Sequence, residues 1–172
     1  MARRAFFSFH FQRDIWRVNQ VRNSWIVKPG EQEAVWYDAS LWEKVKTKGD
    51  SALKKLIDDG LTNTSVTVVL IGAETSQRKW VNYEIEESYR RKKGLLGIYI
   101  HNLKNKDGLT DTKGQNPFDK LYIESERRMA LLGGIKSKVY FSELYPTYDW
   151  TVDNGYKNIG LWIEAVAEKA DR

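Results

Sequence analysis

Residues 80–85 read WVNYEI, and within them Glu84 stands four places after Trp80. On a helix that spacing sets Trp80, Glu84 and Glu87 or Ser88 along one stripe, about a third of a turn from a second row of Val81, Ile85 and Tyr89. Glu84 therefore borders the apolar face instead of opposing it. Two readings are open for such a carboxylate. Periodicity alone favours a solvated or salt-bridged helix charge, and Glu86 and Glu87 read that way. The alternative is the one carboxylate on which a chemistry depends.

Other chemistry is sparse. The chain has no cysteine, which removes disulfides, thiolate metal sites and cysteine nucleophiles. Only His10 and His101 are available as imidazole bases. Each follows a predicted strand, at the end where open α/β sheets bind ligands. Neither sits in an HxH or HExxH spacing, so no metal site is expected and a hydrogen-bonded or substrate-contacting histidine is the better reading. No GxGxxG follows a strand, and GxxxxGK[ST] and GxSxG are both absent.

The elements that must position these residues alternate. AFFSF at 5–9 reads as a buried strand, and Ile15, Val18, Val21 and Trp25 give helical spacing over about 13–25. AVWYD at 34–38 reads as a second strand. Asp50 or Ser51 can cap a helix with Leu53, Leu56 and Ile57 on one face, stopped by Gly60. TSVTVVLI at 64–71 lacks polar alternation after Thr67, as a strand covered on both faces should. Ser76 can cap a helix running to about Lys93, with Val81, Ile85 and Tyr89 toward the sheet and Gly94 supplying a left-handed stop. LLGIYI at 95–100 is a fourth strand, and KVYFS at 138–142 reads as a fifth. Residues 102–119 form a long polar loop, of the kind that is functional or mobile. A last amphipathic helix covers roughly 158–169, with Ile159, Trp162, Ile163 and Val166 apolar. Strands separated by helices predict an α/β fold, a parallel sheet of about five strands with helices on both faces.

With 172 residues, 41% of them hydrophobic and 30% charged, the chain fits one soluble globular domain. The apolar run after MARR is too short for a signal peptide and no stretch reaches the roughly 20 apolar residues of a membrane span, so a cytoplasmic protein is the economical reading. The net charge of +5 and the run Arg90, Arg91, Lys92, Lys93 raise the question of a polyanion partner. Cations at a helix C-terminus offset its partial negative charge, which explains the run without nucleic acid. The tryptophans and tyrosines do not interleave with basic residues as a stacking platform would.

The first strand, the βαβ alternation and RKWVNYEIEES resemble TIR domains, whose enzymatic members carry a catalytic glutamate four residues after a tryptophan in this helix; Glu84 after Trp80 matches it. FFSFHF at 6–11, VRNSW at 21–25, DASLWE at 38–43, ALKKLIDDGLTNTSVTVVLIG at 52–72, RKWVNYEI at 78–85, GQNPFD at 114–119 and YDW at 148–150 resemble the TIR-like group of the bacterial Thoeris anti-phage system. The resemblance spans nearly the whole chain. At one point the pattern departs: Arg78 stands where many TIR enzymes carry a serine.

The resemblance implies a flavodoxin-like TIR fold and cleavage of NAD at its nicotinamide N-glycosidic bond. NAD is then the substrate and no separate cofactor is required. Nicotinamide in NAD is cationic and leaves neutral, so it needs no proton from a general acid, whereas ordinary glycosidases use two carboxylates. Capture of the sugar cation by water gives ADP-ribose; capture by an atom of the same molecule gives a cyclic ADP-ribose isomer, the messenger implied by the Thoeris group. The resemblance further implies a separate effector with a sirtuin-like domain, a phage-derived trigger and self-assembly in the active state.

Ser8, Phe9 and His10 end the first strand, and Asp38 and Trp42 follow the second, so all belong at the ligand edge. Core packing competes evenly with substrate stacking for Phe9 and Trp42. Asp38 can cap a turn, and Trp80 supports the site by packing. Two rival readings stay open: a TIR interaction or scaffold module without activity, and a nucleotide- or nucleic-acid-binding α/β domain.

Overall fold

Five parallel strands form the central sheet: β1 (Ala5–Phe9), β2 (Ala34–Val35), β3 (Val66–Ile71), β4 (Gly94–Tyr99) and, last in the chain, β7 (Thr147–Asp149). Their spatial order is β2-β1-β3-β4-β7. Residues 3–26, 34–36, 39–127 and 135–170 are described by the computed structural model. The helices are α1 (Phe11–Ile26), α2 (Ala39–Lys46), α3 (Asp50–Leu61), α4 (Lys79–Arg90), the single turn α5 (Phe141–Leu144) and α6 (Gly155–Ala170). Among the described residues no helix is long and apolar enough to cross a membrane.

The alternation of strand side chains decides what each helix covers. Ala5 and Phe7 of β1, with Val66, Val68 and Leu70 of β3, meet Val18, Val21 and Trp25 of α1 and Ile159 and Ile163 of α6. The opposite parity, Val69 and Ile71 with Leu95 of β4, meets Val81 and Ile85 of α4, and Tyr89 packs at the margin, as the helical row predicts. Phe6 packs with Ile57 and Leu61 of α3 on this second face. In register, Phe6 lies beside Thr67 and Ser8 beside Val69. Ser8 is thus turned toward α4 by the same alternation that buries Phe6.

The fifth strand differs from the sequence expectation. Residues 138–142 do not join the sheet: β5 (Tyr122–Arg127) and β6 (Ile135–Tyr140) make a separate antiparallel pair, and Phe141 starts α5. Lys138 and Tyr140 alternate outward, the pattern of a pair covered on one side only. The sheet is closed instead by Thr147–Asp149 against Gly97–Tyr99.

Two helix ends also differ. Ser76 lies in a 3₁₀ turn, Thr75–Gln77, and α4 starts at Lys79 with Arg78 at its cap. At the other end Lys92, with φ 57°, takes the left-handed conformation expected of Gly94. Gly94 opens β4 and is required for another reason: a Cβ there would stand 2.7 Å from the Val166 carbonyl oxygen of α6. The basic run is absorbed by structure. Arg90 and Arg91 pair with Glu87 at 2.7 and 2.8 Å, Arg91 also meets Asp58 at 2.9 Å, and Lys93 donates to the Thr64 carbonyl.

Residues 102–119 are held down at several points. The Asp111 N–H donates to the His101 carbonyl at 2.8 Å, Phe118 is fully buried against the α4 face, and Gly114 lies against Gly72.

Candidate active site

Because the sheet order reverses between β1 and β3, a crevice opens at the carboxyl ends of these strands, the usual ligand position in open α/β sheets. Here a pocket of about 380 Å³ is walled by Phe9, His10 and Phe11 from the end of β1, Trp42 from α2, and Trp80 and Glu84 from α4. Its volume lies within the range of small-molecule sites, about 300–1,000 Å³.

Glu84 reaches this wall because α4 is fixed in rotation. Val81 and Ile85 lock one stripe onto the sheet, and one turn beyond Glu84 the Ser88 hydroxyl lies 2.7 Å from that of Thr67 in β3. Glu84 is only 4% exposed. The Ser8 hydroxyl donates to its carboxylate, and among the described residues no cation pairs with it. Burial pushes its pKa up to about 8, with the Ser8 hydrogen bond opposing the rise. The carboxyl is therefore largely protonated at neutral pH while the pocket is empty, and an arriving cation favours its ionised form. The neighbouring acids behave as ordinary helix charges: Glu86 is exposed and Glu87 pairs with Arg90 and Arg91.

The structure brings together most of the residues expected at the ligand edge. Ser8 sits behind Glu84 as its hydrogen-bond donor and does not line the pocket. Phe9 lines it while packing on the α1 face of the core, and Trp42 and Trp80 line it while packing on the cluster of Phe6, Ile57 and Leu61. Packing and wall are thus the same surfaces. Lys79 holds its ammonium 4.8 Å from the centre of the Trp80 ring, a cation–π contact. Asp38 lies outside the described residues. His101 is apart from the pocket: its ring meets Tyr99 edge-on and its Nε2 is 3.8 Å from Asp149. Among the described residues no group of three His, Asp or Glu side chains could hold a metal ion.

Pocket residues that sequence reasoning did not single out as binding include Phe11, Lys46, Gln77 and Lys79, along with Arg78, noted only as a departure. A basic or polar residue in the first turn of an amphipathic helix carries no signal of its own. Adjacency to Trp80 and Glu84 is the one available pointer.

The sheet order, together with a buried, unpaired glutamate facing a pocket at the reversal point, defines a TIR-like domain. Residues 6–105 match the family described as "Thoeris protein ThsB, TIR-like domain", and the chain belongs to that family. It is also 41% identical to a protein of Bacillus cereus (strain MSX-D12) named "Putative cyclic ADP-D-ribose synthase ThsB1", across 95% of this chain and the whole of that relative.

Proposed function

We propose that the protein cleaves NAD at the bond between nicotinamide and ribose and closes the remaining ADP-ribose into a cyclic isomer, using Glu84 as its catalytic carboxylate. The observation that carries this reading is the state of Glu84: buried, without a cation among the described residues and facing a pocket with aromatic walls. A carboxylate kept from water at that position is costly to the fold unless a ligand supplies the missing positive charge. The pyridinium ring of NAD brings that charge.

The chemistry asks little more of the protein. As the glycosidic bond breaks, its electron pair goes to the ring nitrogen, nicotinamide departs neutral and positive charge moves to the sugar. Glu84 beside the ribose stabilises that charge, an effect strengthened by the dry surroundings. Walls that exclude water favour capture by an atom of the same ADP-ribose. The name of the Bacillus cereus relative supports a cyclic product; in the proposed scheme that product is a messenger for a separate effector with a sirtuin-like domain in the cytoplasm, released when a phage-derived trigger and self-assembly complete the site.

The test is nicotinamide release from NAD, followed by chromatography, as a function of pH. With Glu84 near 8, kcat/KM for NAD rises with pH between about 6 and 8 and then levels. Ser8→Ala removes the hydrogen bond that lowers the Glu84 pKa, so the ascending limb moves to higher pH. At pH 7 the loss is about tenfold and shrinks above pH 9. A Ser8→Ala profile that scales down equally at every pH contradicts this role for Ser8.

A further inference from the structure

The turn between β3 and α4 gathers charge at one end of the pocket. Glu74 takes Arg13 Nη1 at 2.9 Å, pairs with Arg78 through Nη2, and lies 4.0 Å from His10 Nδ1. Arg13 is fixed from the far side by Asp111, which accepts from its Nε and Nη2 at 3.0 Å each. Two of the three basic groups around Glu74, His10 and Arg78, also line the pocket, where among the described residues Lys46 and Lys79 are further cations and Glu43 the one carboxylate besides Glu84.

These two residues have unmet hydrogen-bonding capacity. Nδ1 of His10 and Nε of Arg78 are both shut off from solvent and have no hydrogen-bond partner. Glu74 occupies Arg78 only through Nη2, leaving Nε for something else. A buried polar nitrogen left unsatisfied is unfavourable, and here the Nε–H of Arg78, together with Nδ1 of His10 in the tautomer that carries its proton there, fits an acceptor that arrives with a ligand. A phosphate oxygen suits this place: guanidinium groups recognise phosphate through charge-assisted hydrogen bonds, and Lys46 and Lys79 line the same pocket.

We propose that Arg78, with His10 beside it, forms a diphosphate subsite that makes the pocket select a dinucleotide over a nicotinamide nucleoside. This rests on the NAD-cleaving reading and assigns Arg78 the diphosphate bridge, leaving the nicotinamide ribose to Glu84. Arg78 is half-exposed on a capping turn, so Arg78→Gln retains the fold.

Two measurements on the full chain test it, with circular dichroism confirming the fold of each variant. In the first, ADP, which carries the diphosphate but no scissile bond, is titrated calorimetrically into wild type, Arg78→Gln and Glu84→Gln. Arg78→Gln binds ADP at least about tenfold more weakly, whereas Glu84→Gln binds it as wild type does. In the second, NAD is compared with nicotinamide riboside, which has no phosphate. Arg78→Gln raises KM for NAD by about tenfold with little change in kcat, and leaves kcat/KM for the riboside unchanged. Failure of wild type to bind ADP, equal ADP affinity in Arg78→Gln, or an equal loss on both substrates overturns the subsite. ADP binding that depends on Arg78 in a protein that, recovered from phage-challenged cells, cleaves neither substrate upholds the subsite and removes the NAD-cleaving reading instead.

Discussion

Glu84→Gln is expected to lose nicotinamide release by a factor of about 10²–10³ in kcat/KM and, at alkaline pH, to melt at a higher temperature than the wild type. The first effect follows from removing the one negative charge available to the sugar cation. The second follows from linkage. In the fold Glu84 has a pKa of about 8, against an ordinary value of 4.5. Below the ordinary value both folded and unfolded chains hold the proton, and the group costs the fold nothing. As pH rises toward 8 the unfolded chain releases its proton while the folded one retains it, so stability falls, and the fall is complete above 8. Glutamine is neutral throughout and keeps an oxygen for the Ser8 hydroxyl. The variant's advantage is therefore absent near pH 4 and reaches the order of 5 kcal/mol by pH 9, roughly ten degrees or more in melting temperature for a chain of this size. Thermal melts at pH 4, 7 and 9 with parallel turnover assays check both halves. A variant less stable than wild type at pH 9 would sink the assignment of Glu84 as an unpaired buried acid.

The second large effect lies at Gly114. A Cβ built there would stand 2.0 Å from the Gly72 carbonyl oxygen, 2.9 Å from the carbonyl carbon and 3.1 Å from the Ala73 Cα. All three are backbone atoms, so no rotamer relieves the collision. Gly72 cannot retreat either, because the Asp14 carboxylate fills its other side, 2.1 Å from where a Cβ would be. Asp14 is itself fully buried, with Arg17 3.7 Å away. Gly114→Ala is expected to cost about 3 kcal/mol or more by overpacking, lowering the melting temperature by roughly 6–12 °C. Activity falls as well, since the turn begun by Gly72 leads through Glu74 and Arg78 into α4. Calorimetric melts read the stability, and a melting temperature within 1 °C of wild type, on the scale of a neutral surface change, would contradict the close approach.

Much of the fold was legible because continuous apolar runs and helical rows carry their own signal. Strands 5–9, 64–71 and 95–100, and the row Val81, Ile85, Tyr89, all fell where expected. The last sheet strand was not, for Thr147–Asp149 is three residues long and gains its place from pairing with β4, which no local pattern announces. KVYFS has strand propensity, and its first three residues do form the end of β6, but Phe141 and Ser142 start α5 and the strand pairs with β5 outside the central sheet. Gly94 illustrates a different limit: its position after a helix suggested a cap, whereas tertiary contact with Val166 explains it.

The site divides in the same way. Spacing placed Glu84 at the margin of the buried face and favoured a solvated charge; it is in fact buried. The deciding partner, Ser8, is 76 positions away and arrives only because β1 pairs with β3. Family resemblance supplied what periodicity could not. His10, Phe9, Trp42 and Trp80 were legible as residues at strand ends and helix starts, while the unpartnered nitrogen of Arg78 depends on Glu74 of the β3–α4 turn meeting Arg13 of α1.

The most direct test uses wild-type protein and Glu84→Gln, each recovered from phage-challenged cells and incubated with NAD in water labelled with heavy oxygen, with products resolved by chromatography and mass spectrometry. The wild type is predicted to give nicotinamide and a cyclic ADP-ribose, lighter than linear ADP-ribose by one water and free of the label, and Glu84→Gln to give neither. Equal nicotinamide release by the variant, or labelled linear ADP-ribose as the sole product of the wild type, would contradict cyclisation at a Glu84-dependent site.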